Sequence, residues 1–376
     1  MQLEISEITP VLPTSGRASR VFADGVSLLL NRNVRPALQC FYSAQHLGYD
    51  IRECAAARWT CWMLLGRFEC AWKESELITA TGAKDPHQFW NGQSWDGKDV
   101  MLRCLHGLGD TIQFIRYAPL LRQTCRSLTA QTHPQLVRLI EGVLGVDRVF
   151  TWGPGSGAES FDWDVQMEVT ELPRAFRTTI SNIPAVTPYI QVSPERIRWA
   201  SGLFRNHENL RIGISWDAGP WDPLRSIPLE EFSPLFECKN CCFYELQKGA
   251  DPDRLRRCGA IYDLESYAAN VQDTAALILN LDLVITVDTM TAHLAGALAR
   301  PVWILLPARA DWRWMLRRCD TPWYPTARLF RQKQLGDWRE TIEEIRAALS
   351  VLQESSKGPH GAPGTAAHTK PLSSCR

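Results

Sequence analysis

Three short stretches carry the residues whose types and spacing could do chemistry. The first is Leu105-His106-Gly107-Leu108-Gly109-Asp110-Thr111. Gly107 and Gly109 sit between a strand-like run and a helix-like run, where glycine lets backbone approach a ligand. A helix start there offers unpaired N–H groups and a positive dipole. Asp110 at that mouth has two readings: a helix cap, for which Asp is favoured, or a general base. The second stretch is Val287-Asp288-Thr289-Met290-Thr291-Ala292-His293, where an apolar strand feeds a small-residue helix. Such a turn presents hydroxyls and N–H groups to a phosphate. The competing reading has Asp288 and the threonines as caps, with His293 packed on the strand. The third is Ile214–Gly219 followed by Arg225. A guanidinium pairs well with a phosphate, though a surface Arg is the plainer account.

Two further patterns resemble metal sites. Asp162-Trp163-Asp164 has the form of a cation-binding Asp-x-Asp, but it stands without further carboxylates. Cys238-x-x-Cys241-Cys242 is half of a zinc motif with no second pair at matching spacing. No metal is expected.

The elements that must position these residues follow from periodicity. From about 24 to 80 the pattern is helical, with stripes through Leu28, Leu29, Ala37, Leu38, Phe41 and Ala44, and through Cys54, Ala57, Cys61, Leu64, Phe68 and Trp72. Short helices with small residues at their contacts suggest a degenerate tetratricopeptide pair. Residues 82–98 read as a linker. Strands are predicted at Val100–Leu105, Leu128–Gln131, Arg148–Thr151 and Trp163–Met167, with a helix over Thr111–Gln123. A second series has strands at Leu210–Trp216, Cys242–Leu246, Ala260–Asp263, Leu283–Val287 and Val302–Leu306. Alternation of this kind predicts α/β architecture with two doubly wound parallel sheets. The expected division is a helical region over 1–83, a Rossmann-like domain over 84–200, a second over 201–354, and a disordered tail over 355–376. The last helix, Trp338–Leu352, could cross back to the first domain. Ligands of such sheets bind beyond the strand C-termini.

Composition limits the function classes. The 376 residues hold 41 basic and 41 acidic side chains, so the basic excess of a nucleic-acid binder is missing. The 12 cysteines are scattered through apolar patterns, as expected of free thiols in a reducing compartment. Residues 1–20 lack a signal-peptide core. No apolar run reaches the ~18–20 residues of a bilayer span. A cytoplasmic location is expected, with peripheral membrane association left open.

The run Gly107-Leu108-Gly109-Asp110-Thr111-Ile112-Gln113-Phe114-Ile115-Arg116-Tyr117-Ala118-Pro119-Leu120 resembles the signature of heptosyltransferase-like proteins, glycosyltransferase family 9. The resemblance is to the bacterial branch that carries tetratricopeptide repeats. Asp288-Thr289 through Leu298 is similar to that family's donor-binding turn, and Pro301–Trp303, Asp311–Trp314, Trp323–Pro325 and Arg328–Gln332 follow in family order. The resemblance spans about 85–350. It implies a GT-B fold and inverting transfer from a nucleotide-diphosphate sugar, without cofactor or metal. By position, Asp110 would be the base. Thr289, the Met290 N–H, Thr291 and His293 would hold the diphosphate beside Asp288. Arg225 would add positive charge, and Gln247 would approach the nucleoside. The acceptor would be a glycan, a lipid-linked sugar or a protein side chain. The chain departs from the family at Met290, where many members have Gly, at His106, and over Met167–Pro173. Two other functions fit the same pattern: a catalytically silent interaction module, and a sugar-nucleotide epimerase or hydrolase.

Overall fold

The structure is a computed structural model that describes residues 16–82, 88–153, 162–204, 209–220, 222–251, 253, 255 and 261–356. The chain divides into two compact units. One holds residues up to Gln191 together with Arg309–Arg317, and the other holds Val192–Ala308 and the chain from Arg318 onward.

The first unit opens with four helices: α1 (Arg17–Leu30), α2 (Val34–His46), α3 (Ile51–Leu64) and α4 (Phe68–Ala80). α1 begins earlier than periodicity predicted, directly after Gly16. α3 starts 34 residues after α1, and α4 starts 34 residues after α2. That is the tetratricopeptide period. The turns repeat with it: Arg32 and Gly66 both have positive φ (58° and 68°), as do Gly48 and Gly82 (92° and 74°). Gly25 is a packing glycine, since a Cβ there would stand 2.7 Å from Phe41 Cε1. Within the second hairpin Arg58 donates twice to the Glu74 carboxylate, at 2.8 Å each, and across to the first hairpin it donates to Gln45 at 2.7 Å. These bonds satisfy a charge pair that would be costly to bury otherwise.

The sheet of this unit has four parallel strands, β1 (Asp99–Arg103), β2 (Ser127–Thr132), β3 (Arg148–Thr151) and β4 (Val165–Glu168), in the order β3-β2-β1-β4. The single helix expected over 111–123 is instead α5 (Leu108–Phe114), a 3-10 turn at Ile115–Tyr117, and a short helix Ala118–Arg122. Pro119, at the second position of that last helix, has no N–H for a continuous helix to use.

The second unit is a six-stranded parallel sheet: β5 (Leu210–Ser215), β6 (Cys241–Glu245), β7 (Ile261–Asp263), β8 (Leu283–Val287), β9 (Val302–Leu306) and β10 (Ala327–Arg331). Its order, β7-β6-β5-β8-β9-β10, is the doubly wound 3-2-1-4-5-6 arrangement. β8 (LVITV) and β9 (VWILL) are buried at every position, as strands covered on both faces must be. α6 (Pro194–Ser201) and α7 (Val271–Leu279) pack together. The last helix, α9 below, runs Arg339–Ser356. Ile342, Ile345 and Leu349 place it in this unit's own core beside Ile212, Ile285 and Phe330. The segment that leaves its sequence neighbours is Arg309–Arg317. The expected disordered tail lies outside the described residues apart from its first two positions, which extend α9.

Candidate functional site

Each sheet has one point where its strand order reverses: between β1 and β4 in the first unit, and between β5 and β8 in the second. Open α/β sheets bind ligands at the strand C-termini there. The sequence-predicted residues fall at these two points.

In the first unit, β1 ends at Arg103 and the chain turns through His106 into α5. Gly107 occupies the N-cap without a side-chain cap bond, and Asp110 sits in the first turn. The Asp110 carboxylate pairs with the Arg313 guanidinium. Opposite, His106 Nδ1 lies 2.9 Å from Glu168 Oε1, at the end of β4. That bond to the fully buried carboxylate, opposed by burial, moves the His106 imidazole above its usual range. Burial pushes Glu168 upward, but His106 and the Thr170 hydroxyl and amide outweigh it, and the net direction is down. Glu171 closes a capping box with Glu168 and also accepts from the Phe89 and Trp90 N–H groups. Beside this site Trp59, Trp72, Phe114 and Trp312 wall a pocket that also exposes Thr79 and Arg174.

In the second unit, β8 delivers Asp288 and Thr289 to the start of α8 (Met290–Ala297). Thr289 is the N-cap: its Oγ1 accepts the Thr291 N–H at 3.2 Å, and its carbonyl accepts the Ala292 N–H at 3.0 Å. The Met290 N–H is used by neither bond. His293 is 6% exposed; its Nδ1 lies 2.9 Å from the Tyr324 hydroxyl and its Nε2 4.0 Å from Asp288 Oδ1. Tyr324 reaches it because residue 296 is glycine, where a Cβ would lie 2.3 Å from the Tyr324 ring. Arg225, on the loop after β5, donates to the Asp288 carbonyl at 3.4 Å. Arg225, Asp288, Thr289, Thr291 and His293 are thus one cluster. Gln247 stands apart in role: its Oε1 accepts from Ser215 Oγ (3.0 Å), the Trp216 N–H (3.2 Å) and the Asp217 N–H (2.9 Å). It fastens the loop that follows β5.

The two metal-like patterns have other duties. Asp164 Oδ2 accepts the Asp99 N–H at 2.9 Å and pairs with Arg126. Cys241 Sγ accepts from Gln353 at 2.9 Å. Among the described residues no three His, Cys, Asp or Glu side chains gather to hold a metal ion. Nor is any described helix long and apolar enough to cross a membrane.

No family model matches the chain. Among curated proteins it is similar to Protein FlbA of Caulobacter vibrioides, 25% identical over 343 residues, which covers 80% of this chain and 55% of that protein. The chain thus spans about half the length of this relative. Among solved structures it resembles a glycosyltransferase family 9 protein from Veillonella parvula, with a TM-score of 0.53, 13% identity, and coverage of 70% of this chain and 99% of that one. The fold is GT-B. E. coli ADP-heptose lps heptosyltransferase II is similar in the same way, with a TM-score of 0.50, 13% identity, and coverage of 68% and 99%.

Arg313, Tyr324 and Glu168 had no assigned role from sequence. Arg313 and Tyr324 lie inside motifs of the family resemblance, which gave them positions without partners.

Proposed function

We propose that the chain is an inverting glycosyltransferase that moves a sugar from a nucleotide-diphosphate donor to a glycan, a lipid-linked sugar or a protein side chain. The observation that carries this reading is the convergence of Arg225, Thr289, Thr291 and His293 on the start of α8, at a strand-order switch point. A helix N-terminus with a cation and hydroxyls beside it suits a diphosphate. In this reading Arg225, the Met290 N–H and His293 stabilise the charge that develops on the leaving diphosphate. Neutralisation by these groups requires no metal or cofactor. The loop fastened by Gln247 is assigned to the nucleoside. Asp110 takes the acceptor proton as the acceptor oxygen bonds the anomeric carbon; the bond to the diphosphate breaks, and its electron pair leaves with the diphosphate. The Trp-walled pocket, which shares Phe114 and Trp312 with the surroundings of Arg313, is the assigned acceptor side.

The test is binding before turnover. ADP, named with the E. coli relative's sugar donor, heads a panel with GDP and UDP in thermal melts. A diphosphate at one hundred times its dissociation constant stabilises by ~2.7 kcal/mol. His293→Ala is expected to weaken the best binder by ~1–3 kcal/mol. If no diphosphate shifts the melt, the donor reading is wrong; a full shift that survives His293→Ala removes His293 from it.

A further inference from the structure

Asp110 is held by a residue 203 positions away in the chain, and the way it is held is specific. The Arg313 guanidinium is fixed on three sides: Nε donates to Gln113 Oε1 at 2.7 Å, Nη1 to Asp311 Oδ1 at 2.9 Å, and Nη2 to Asp110 Oδ1. Its centre lies 4.9 Å from the Trp312 ring and 5.5 Å from the Phe114 ring. The Arg313 side chain is 7% exposed and that of Asp110 is 21% exposed. A planar cation tied at three donors and two faces does not swing out to a substrate. Its effect must pass through the more open carboxylate.

The two oxygens of Asp110 are not equivalent. The bond from Arg313 ends on Oδ1. Oδ2 lies over Gly107, where an added Cβ would stand 3.4 Å from it. Glycine at 107 keeps the approach to that oxygen clear of a side chain.

We propose that Arg313 is a positioning residue for Asp110: it holds Oδ1 and leaves Oδ2 turned to the open side to take a proton. This rests on the reading of Asp110 as the base. Charged groups near Asp110 among the described residues include His106, four residues before it and tied to Glu168 on β4, and Asp311, which shares the Arg313 guanidinium. Both remain in every variant below.

Carboxyl NMR on protein labelled with ¹³C at aspartate Cγ reads the pair at a single neutral pH with no substrate present. The Asp110 resonance is assigned by its loss in Asp110→Asn. Arg313→Gln is expected to displace and broaden that resonance, because the bond that orders Oδ1 has been removed. Arg313→Lys keeps the charge but not the fork, and is expected to displace it less than the glutamine variant does. A parent-like resonance in Arg313→Gln overturns the proposal. If that variant melts too low to measure, Arg313→Lys decides: a displaced resonance upholds the proposal, and a parent-like one overturns it. The readout is separate from transfer. A displaced resonance in a chain that binds no nucleotide diphosphate removes the functional reading and leaves the pairing in place; diphosphate binding with an undisplaced resonance does the opposite.

Discussion

At the residue scale, the geometry around Asp110 changes what its replacement should do. Asn keeps an acceptor oxygen for Arg313 but not the charge. Arg313 retains Gln113 and Asp311, so Asp110→Asn weakens one charge-assisted bond without orphaning the guanidinium. The stability loss is then at most ~1–2 kcal/mol. Transfer should fall by ~10²–10⁴, the usual worth of a positioned base. A melt and a rate measured on the same preparation check this; turnover near the parent's would show that Asp110 serves Arg313 and nothing else. His293 shows a similar dependence on a distant partner. Its contact with Tyr324 exists because Gly296, three residues on along α8, leaves room for the ring.

At the element scale, the second unit carries an acidic group at the ends of β6 and β7. Burial first, and then Asp263 and Glu265, push the Glu245 carboxyl up to about 8. Burial likewise raises Glu265 to about 7. Both lie above the unfolded value of 4.5, so the folded chain binds more protons than the unfolded chain between roughly pH 4.5 and 8. The stability these groups allow is full below pH 4.5 and is lost as pH rises through 7 and 8. Glu245→Gln removes the larger part of that slope. Calorimetry should find the variant melting with the parent at pH 5 and above it at pH 8.5. An equal offset at both values would mean that the ionisation of Glu245 is not the cause. Elements like β6, β8 and β9 were legible in the sequence because their apolar runs are local and uninterrupted. The Asp288–His293 turn was legible for the same reason. β10 (ARLFR) was not recognised as a strand, because its two arginines hide the burial of Leu329 and Phe330. The helical repeat was legible as a degenerate pair without its exact 34-residue period, which is kept by positive-φ turns at Arg32, Gly48, Gly66 and Gly82 more than by repeated residue types.

At the scale of the whole molecule, chain order and packing order differ. Asp110 and Arg313 have no periodic relation in sequence, and only the return of Arg309–Arg317 to the first unit joins them. That segment is also structural. Trp312, 8% exposed, meets Trp59, Phe68 and Phe114 at ring distances of 5.6, 6.4 and 6.5 Å. Trp314 is 1% exposed. The Leu316 N–H donates to the Leu64 carbonyl at 3.1 Å, and Arg32 donates to the Ala310 carbonyl at 2.6 Å. Losing one buried Trp side chain costs ~3–5 kcal/mol, and whole domains are stable by only ~5–15 kcal/mol. A fragment of residues 16–191 lacks both tryptophans and opens the apolar seam between the helical repeats and α5. It should keep helical far-ultraviolet dichroism, from α1–α4, while losing its near-ultraviolet signal and its cooperative melt. Adding a peptide of residues 309–317 should restore both in a dose-dependent way, and the Arg313→Gln form of the peptide should do so less well. A fragment that melts cooperatively at the parent's temperature without the peptide would show that the first unit is complete before the chain returns to it.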